Sequence, residues 1–491
     1  LAVIGLADGF GNTPSHTSVL ASQYTQLGVS GLDPNASAAA HKITLLNDVI
    51  DRKVYADIDT VFEIQTLLDG VSTLLDTAAG GNALTLAQLS ALGFDNVTVN
   101  TLPDVIAAIQ ATATDGSDVD TFAKLSAVIS NRLVSIQNAL NVISQFAQAN
   151  VLPAPHIPSG VAPTLDDYAA AGVHGVTASN LALINDALAT NAVNEASVNT
   201  TLEIQALVDA YTLVVRAANG LETQGVVKPS ALQYSLLGLT GIDPAISDST
   251  SRSNLLGDVI DRKLFADIDT VSEIQTLLDA VNNVLNAANG IAGLTQSQLT
   301  SLGITGVTLD NWALVLKAIG DSPDDGTQVN TLSGLQTLVT NTVNQAQAAL
   351  QVIQNYAENN TQANLSLGIP PTLQNYVDAG VQGVTADNLG AINSALATAT
   401  VNAARVGSIS NTQDVVNAYL NVFSVADGLD NINNAANIRS EYALIGVTGV
   451  DSASKYSLLG DVLDIKNASE VNTTVKIQAM ADAVEAVIRA A

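Results

Sequence analysis

The chain has 491 residues, and its 46 acidic and 17 basic side chains give a formal net charge of −29. A field this negative repels phosphate, and no Lys/Arg cluster offsets it, which excludes nucleic acid as a partner; the absence of cysteine excludes disulfides and thiolate metal sites. The apolar content of 47% is too high for disorder, the aromatic content of 4% predicts a core of Ala, Leu, Val and Ile, and no apolar run reaches the roughly 18 residues of a membrane span.

A long internal repeat organises the chain. The run Leu46–Lys53 returns at residues 256–263, a shift of 261 − 51 = 210, and the run 57–69 returns at 267–279 with the same shift. Between Pro163 and Pro371 the shift is 371 − 163 = 208. Self-similarity of this kind predicts an array of related structural units.

A shorter period of about 70 residues lies within the long repeat. It is marked by the pattern Gly-apolar-x-Gly-apolar, which begins at Gly28, Gly172, Gly238, Gly303, Gly380 and Gly446. We name the resulting segments by type, in the order A-B-C-A-B-C-A. After the end of a preceding segment at 1–13, their predicted bounds are 14–80, 81–150, 151–221, 222–290, 291–358, 359–429 and 430–491.

Each segment is predicted to form three helices. The first is short and ends at the glycine of the shared pattern, which suits a left-handed C-cap. The third is predicted to begin with a capping box, in which a threonine hydroxyl and a glutamate three residues later satisfy each other's backbone N–H groups. These boxes are Thr60/Glu63, Thr200/Glu203 and Thr270/Glu273.

Apolar residues in the first A segment recur at helical spacing. The second helix carries Leu45, Leu46, Val49 and Ile50 on one face. The third carries a stripe of six residues, Ile64, Leu67, Leu68, Val71, Leu74 and Leu75. Since no window shows sustained strand alternation, we predict an all-α fold, an extended tandem array of about seven small three-helix bundles, each too small to be very stable alone.

Both ends of the sequence interrupt the repeat within a segment. Residues 3–9 match the end of a C segment at 422–428. The sequence ends at Ala491, at the point where Asn289 and Gly290 follow in the second A segment. The pattern therefore predicts that these residues are part of a longer chain.

The A segments resemble a known bacterial module. The runs Asp48–Lys53 and Thr60–Asp69, with the turn at Gly28–Ser30, resemble the three-helix albumin-binding (GA) module of Gram-positive surface proteins. That family carries aromatic residues of its albumin surface where this chain has Leu45 and Leu46, so the resemblance implies the module's fold and not albumin binding. The tandem, acidic, cysteine-free composition is similar to the repeat regions of giant bacterial surface adhesins and matrix proteins.

Residues that recur between copies are expected to serve the fold, whereas residues that occur once are specialised or have drifted. The histidines His16, His41, His156 and His174 do not recur, which argues against metal ligation or general-base catalysis by them. The cluster Asp48/Asp51/Arg52/Lys53 does recur, at residues 258–263. We interpret it as an ion-pair network at the end of the second helix that also clamps neighbouring segments together. Trp312 replaces Leu102 of the other copy and is predicted to be a core residue.

Two acidic loops are the candidate calcium sites. Aspartate and glycine in a flexible loop supply the oxygen ligands that calcium prefers, but the same residues are ordinary turn formers, and a closing glutamate is missing. The candidate ligands are Asp115, Asp118, Asp120, Asp321, Asp324 and Asp325. No catalytic or other cofactor-binding residue is predicted, since phosphate-binding glycine loops and a Ser-His-Asp arrangement are missing from the sequence.

These observations favour a non-enzymatic structural and adhesive protein at the cell surface or in the extracellular matrix. In this interpretation the array acts as an adhesin stalk or as the building unit of a filament or surface layer, and its partners are neighbouring segments or copies of itself. The alternative is an array of binding modules that each capture a host or matrix protein on a helix face. Composition alone does not decide between the cell surface and the cytoplasm.

Overall fold

The computed structural model describes residues 2–11, 18–33, 35–36, 38–150, 160–218, 220, 227–323, 326–359, 368–429 and 439–490. Within these ranges the regular structure is helical, and β-structure is limited to two isolated bridges, Asp8 with Val54 and Asp427 with Asn467. The predicted all-α class is confirmed. No helix in the described ranges is long and apolar enough to cross a membrane.

Residues 2–217 contain one short helix at the start and then nine further α-helices in the described ranges. They are α1 (Ala2–Leu6), α2 (Ala21–Gln26), α3 (Ala39–Asp51), α4 (Val61–Ala78), α5 (Leu86–Ala91), α6 (Leu102–Gln110), α7 (Phe122–Ala149), α8 (Leu165–Ala170), α9 (Leu181–Leu188) and α10 (Thr201–Ala217). The third helix of the B segment is the longest of these, with 28 residues.

The remaining segments repeat this order. Their helices are α11 (Ala231–Leu236), α12 (Ser249–Asp261), α13 (Val271–Ala288), α14 (Gln296–Ser301), α15 (Trp312–Gly320), α16 (Leu332–Glu358), α17 (Leu373–Asp378), α18 (Leu389–Leu396), α19 (Ile409–Val425), α20 (Glu441–Leu444), α21 (Ala453–Asp464) and α22 (Thr474–Ala490). Corresponding helices have similar lengths in the two copies, for example 18 residues in both α4 and α13.

The predicted caps are confirmed. Thr60 Oγ1 accepts a hydrogen bond from the Glu63 N–H at 3.3 Å, and the Glu63 carboxylate accepts from the Thr60 N–H at 2.9 Å. The same reciprocal pair begins α10 and α13. At the other end of the first helix, Gly28 has φ 93°, a left-handed conformation that a side chain would strain.

The apolar faces are buried as the spacing predicts. Leu45, Leu46 and Ile50 of α3 have no exposed surface, and Val71 and Leu74 of α4 have none either. The chain divides into two compact units. One comprises Leu1–Asn219 with Pro229–Thr240 and Phe265–Ile274, and the other comprises Gly220–Lys228, Gly241–Leu264 and Gln275–Ala491.

Within each unit a hydrophobic core continues across the predicted segment boundaries. In the first, one cluster runs from Val3 to Ile129 and so joins α1, the first A segment and most of the first B segment. In the second, a cluster runs from Ala349 to Val484 through the second C segment. Helix α4 packs against α5 and α6 of the next segment, so neighbouring segments share core residues.

Candidate functional site

The first acidic loop uses two of its candidate calcium ligands to shape the turn. Asp115 Oδ1 accepts a hydrogen bond from the Ser117 N–H at 2.9 Å, and Asp118 Oδ2 accepts from the Ala113 N–H at 3.0 Å. The Ser117 hydrogen bonds lower the pKa of Asp115, which is exposed. The Asp115 contact is that of an Asx turn, in which the aspartate oxygen accepts from the N–H two residues later, and the Asp118 contact closes the loop back onto Ala113.

The third carboxylate of this loop is held by two basic side chains. Asp120 lies 2.8 Å from Lys124 Nζ and 2.7 Å from His41 Nδ1. Burial raises the pKa of Asp120, but the hydrogen bonds from Lys124 and His41 outweigh burial and lower it. The second copy has Ser251 and Asn330 at the positions of His41 and Asp120, so this pair is specific to the first copy.

The second acidic loop is described only in part. Asp321 forms an exposed ion pair with Lys317, and Asp324 and Asp325 lie outside the described residues. No group of three His, Asp or Glu side chains that could hold a metal ion is found in the described part of the chain.

Two of the remaining single-copy residues, His174 and Trp312, lie in the described part of the chain. The backbone N–H of His174 donates to Gln205 Oε1 at 2.7 Å, whereas His16 and His156 lie outside the described residues. Trp312 is half-buried at the first position of α15, more exposed than the predicted core position, because it lies at the helix start.

The recurring Asp48 cluster contacts the next segment. The Phe122 N–H, at the start of α7, donates to Asp48 Oδ2 at 3.1 Å, and the Arg52 guanidinium lies 4.0 Å from the centroid of the Phe122 ring. Burial raises the pKa of Asp48. The hydrogen bond from the Phe122 N–H and the charge of Arg52 lower this pKa, but by less than burial raises it. In the second copy the Leu332 N–H donates to Asp258 Oδ2 at 2.9 Å.

The same kind of contact recurs between other successive segments. In each case an oxygen at or near the second helix of one segment accepts a hydrogen bond from the first N–H of the third helix of the next. Besides the two A-to-B contacts, these are Val271 N–H to Asp186 (2.7 Å), Ile409 N–H to Asp310 (3.0 Å) and Thr474 N–H to the Ser394 hydroxyl (2.9 Å). We call this contact the intersegment cap.

A glutamine clamp recurs inside the segments. Gln65 Oε1 accepts from the Ser30 N–H at 2.9 Å, and Gln65 Nε2 donates to the Ser30 carbonyl at 3.2 Å. Ser30 is the third residue of the Gly-apolar-x-Gly-apolar pattern. The glutamines that form the same pair of hydrogen bonds are Gln205, Gln336, Gln413 and Gln478, with His174, Thr305, Gln382 and Thr448 respectively.

Sequence reasoning missed the intersegment cap partners and the glutamine clamp. Both left a signal in the repeats, because Asp48 and Phe122 are 74 residues apart, as are Asp258 and Leu332. The glutamine keeps a spacing of 30 to 35 residues from its turn. Only the two A-to-B caps share one separation, since the other caps join residues 85, 99 and 80 positions apart. Recurrence therefore marked the positions of these contacts, but it did not tell which atoms meet.

Comparison with known proteins finds no match: no protein-family model, no curated protein and no solved structure matches the chain.

Proposed function

We propose that the chain is a non-enzymatic structural and adhesive repeat protein. In this proposal its segments form an extended tandem array of small three-helix bundles at the cell surface or in the extracellular matrix, as a stalk or as the unit of a filament or surface layer. The resemblance of the A segments to GA modules supports the three-helix unit.

The observation that carries the proposal is the intersegment cap. The polar residues that recur, such as Asp48 and Asp258, hold one segment against the next. Repeated contacts between successive segments favour a structural role for the chain, because repeat arrays gain stability from contacts between nearest neighbours.

The pattern of exposed apolar residues favours a structural stalk or filament unit over an array of identical binding modules. At the second position of the third helix, Phe62, Leu202 and Val475 are exposed by 79%, 65% and 48%. The corresponding residues of the other segments are Ala123, Ser272, Ser333 and Ser410. A shared ligand-binding face would keep its apolar anchors in every copy of a type.

Electron microscopy of the purified chain, together with antibody labelling of cells that produce it, tests the proposal. We expect isolated rods if the chain is a stalk and ordered fibres or sheets if it self-assembles, with the label at the cell surface. Compact particles, or a label confined to the cytoplasm, would contradict the proposed role.

A further inference from the structure

The third A segment presents an open apolar groove between α21 and α22. Its cavity volume is about 640 Å³, and Leu458, Val462, Met480, Val484 and Val487 line it. Val487 is 59% exposed, and Leu458, Val462 and Met480 are half-buried, whereas Val484 is 3% exposed. Apolar residues at the centre of a helix-helix groove normally face a partner.

The corresponding face is closed in both earlier A segments. The shift between the third and first A segments is 461 − 48 = 413, so these residues correspond to Leu45, Val49, Leu67, Val71 and Leu74. None of those five is more than 5% exposed. In the second A segment the corresponding residues, none more than 6% exposed, are Leu255, Val259, Leu277, Val281 and Val284.

A B-type segment covers this face in the first copy. Helix α4 packs against α5 and α6, and Leu67, Leu89 and Leu92 belong to one hydrophobic cluster. The Gln88 side chain also donates to the Thr73 hydroxyl at 3.0 Å.

The polar groups around the groove are also arranged for such a segment. Asp461 corresponds to Asp48 and Asp258, the acceptors of the intersegment cap, yet it is exposed and has no hydrogen-bond or ion-pair partner among the described residues. Lys466 corresponds to Lys263, which donates to the Ser301 carbonyl at the end of α14 at 2.9 Å. Lys466 instead pairs with Glu470 at 3.2 Å.

We propose that the α21–α22 groove is a docking surface for a three-helix segment of the B type, like residues 81–150 or 291–358. The first and second helices of that segment close the apolar groove, Asp461 accepts the first N–H of its third helix, and Lys466 reaches the end of its first helix. This inference rests on the proposed role of the chain as an array of segments.

A second copy of the chain is the competing occupant. Pairing two α21–α22 faces would bring together chains that each carry a formal charge of −29, which opposes association. Self-pairing would also leave Asp461 without the backbone N–H that its counterparts bind. The B-type segment therefore accounts for both the apolar and the polar features of the groove.

Oxidation of Met480 provides the test, because it is the only methionine in the chain. The full chain is compared with the same chain extended after Ala491 by residues 79–150, which continues the register of the first A segment. Both are treated with hydrogen peroxide, and sulfoxide formation is followed by mass spectrometry. Two controls are an extension by the C-type residues 151–220 and the Asp461→Ala variant of the B-type extension.

We expect the B-type extension to slow oxidation of Met480 by about tenfold or more. If the docked state outnumbers the open state by roughly ten to one, Met480 is accessible to peroxide in only about a tenth of the molecules. The C-type extension should not slow it, and Asp461→Ala should restore part of the rate. A B-type extension that stays unfolded, or that folds without protecting Met480, overturns the proposal. So does equal protection by the C-type extension.

Protection that rises with concentration of the unextended chain would assign the groove to a second copy and also overturn the proposal. The result of the oxidation experiment is independent of the electron microscopy that tests the proposed function. Failure to protect Met480 removes the docking surface without changing where the chain is located or what assemblies it forms.

Discussion

At the residue scale, buried tyrosines show how a polar group is accommodated in an apolar core. The Tyr24 hydroxyl donates to Asn47 Oδ1 at 2.6 Å, and Asn47 Nδ2 donates to the Val19 carbonyl at 3.0 Å. Tyr168 with Asn185 and Tyr376 with Asn393 repeat the arrangement in the C segments. Burial raises the pKa of Tyr24 above its ordinary value, which disfavours the ionised phenolate in the core.

Replacing Tyr24 by Phe should therefore destabilise the first A segment. The change leaves the Asn47 oxygen buried without its donor, at a cost of about 1 to 3 kcal/mol. The matched control is Tyr442→Phe in the third A segment, where residue 460 is glycine and the Tyr442 hydroxyl has no partner among the described residues. Hydrogen exchange of α2 and α20 measures both effects, and equal destabilisation by the two changes would contradict the role of Asn47.

Calcium provides a second test at the residue scale. Because Asp115, Asp118 and Asp120 already serve backbone N–H groups and basic side chains, we expect millimolar calcium to change stability no more than sodium chloride of equal ionic strength. Specific binding would add about 2.7 kcal/mol at a hundredfold excess over Kd. A calcium-specific rise in Tm that disappears in the Asp118→Asn/Asp120→Asn variant would establish a calcium site instead.

At the element scale, the intersegment cap joins helices that are distant in the sequence. Asp310, just before α15, accepts hydrogen bonds from the N–H groups of Ile409 and Ser410 at the start of α19, at 3.0 and 2.8 Å. Burial raises the pKa of Asp310, but these hydrogen bonds outweigh burial and lower it. A carboxylate at this position also complements the positive end of the helix dipole.

Asp310→Ala should cost about 0.5 to 2 kcal/mol, as the loss of a helix cap does. The lowered folded-state pKa means that the stabilisation by Asp310 is complete above the unfolded-state pKa of about 3.9 and is lost as pH falls through the folded-state pKa. Asp310→Asn should therefore be less sensitive to acid than the parent chain.

Fluorescence of Trp312, the only tryptophan, during urea unfolding at neutral and acid pH measures this contribution. Asp387→Asn, at an exposed position, is the control and should leave the unfolding midpoint unchanged. An acid dependence that is the same in Asp310→Asn and in the parent chain would rule out the cap as its source.

At the scale of the whole molecule, stability is shared between neighbouring segments. The cluster from Val3 to Ile129 and the cluster from Ala349 to Val484 each span predicted boundaries and have no member in common. We therefore expect cooperative unfolding to extend into the adjacent segment but not along the entire chain, as nearest-neighbour coupling predicts.

Leu67→Ala tests this expectation. Leu67 is 5% exposed, and removing its side chain should cost about 2 to 5 kcal/mol. Hydrogen exchange should increase together in α4, α5 and α6, while α21 and α22 keep the exchange of the parent chain. A uniform increase in every helix would indicate one fused core.

The sequence by itself determined the local structure. The Thr60/Glu63 box, the left-handed Gly28 and the apolar faces of α3 and α4 could be predicted because each depends on residues within about one or two helical turns. The repeat also indicated that the Asp48 cluster reaches a neighbour.

Only the tertiary structure decided which atoms meet across long separations. The pairing of Asp48 with Phe122, of Gln65 with Ser30, and the continuation of the core past residue 80 depend on how helices pack. Periodicity shows that a face is apolar but not which helix covers it. For the same reason the open α21–α22 groove became visible only by comparing its burial with that of the two earlier A segments.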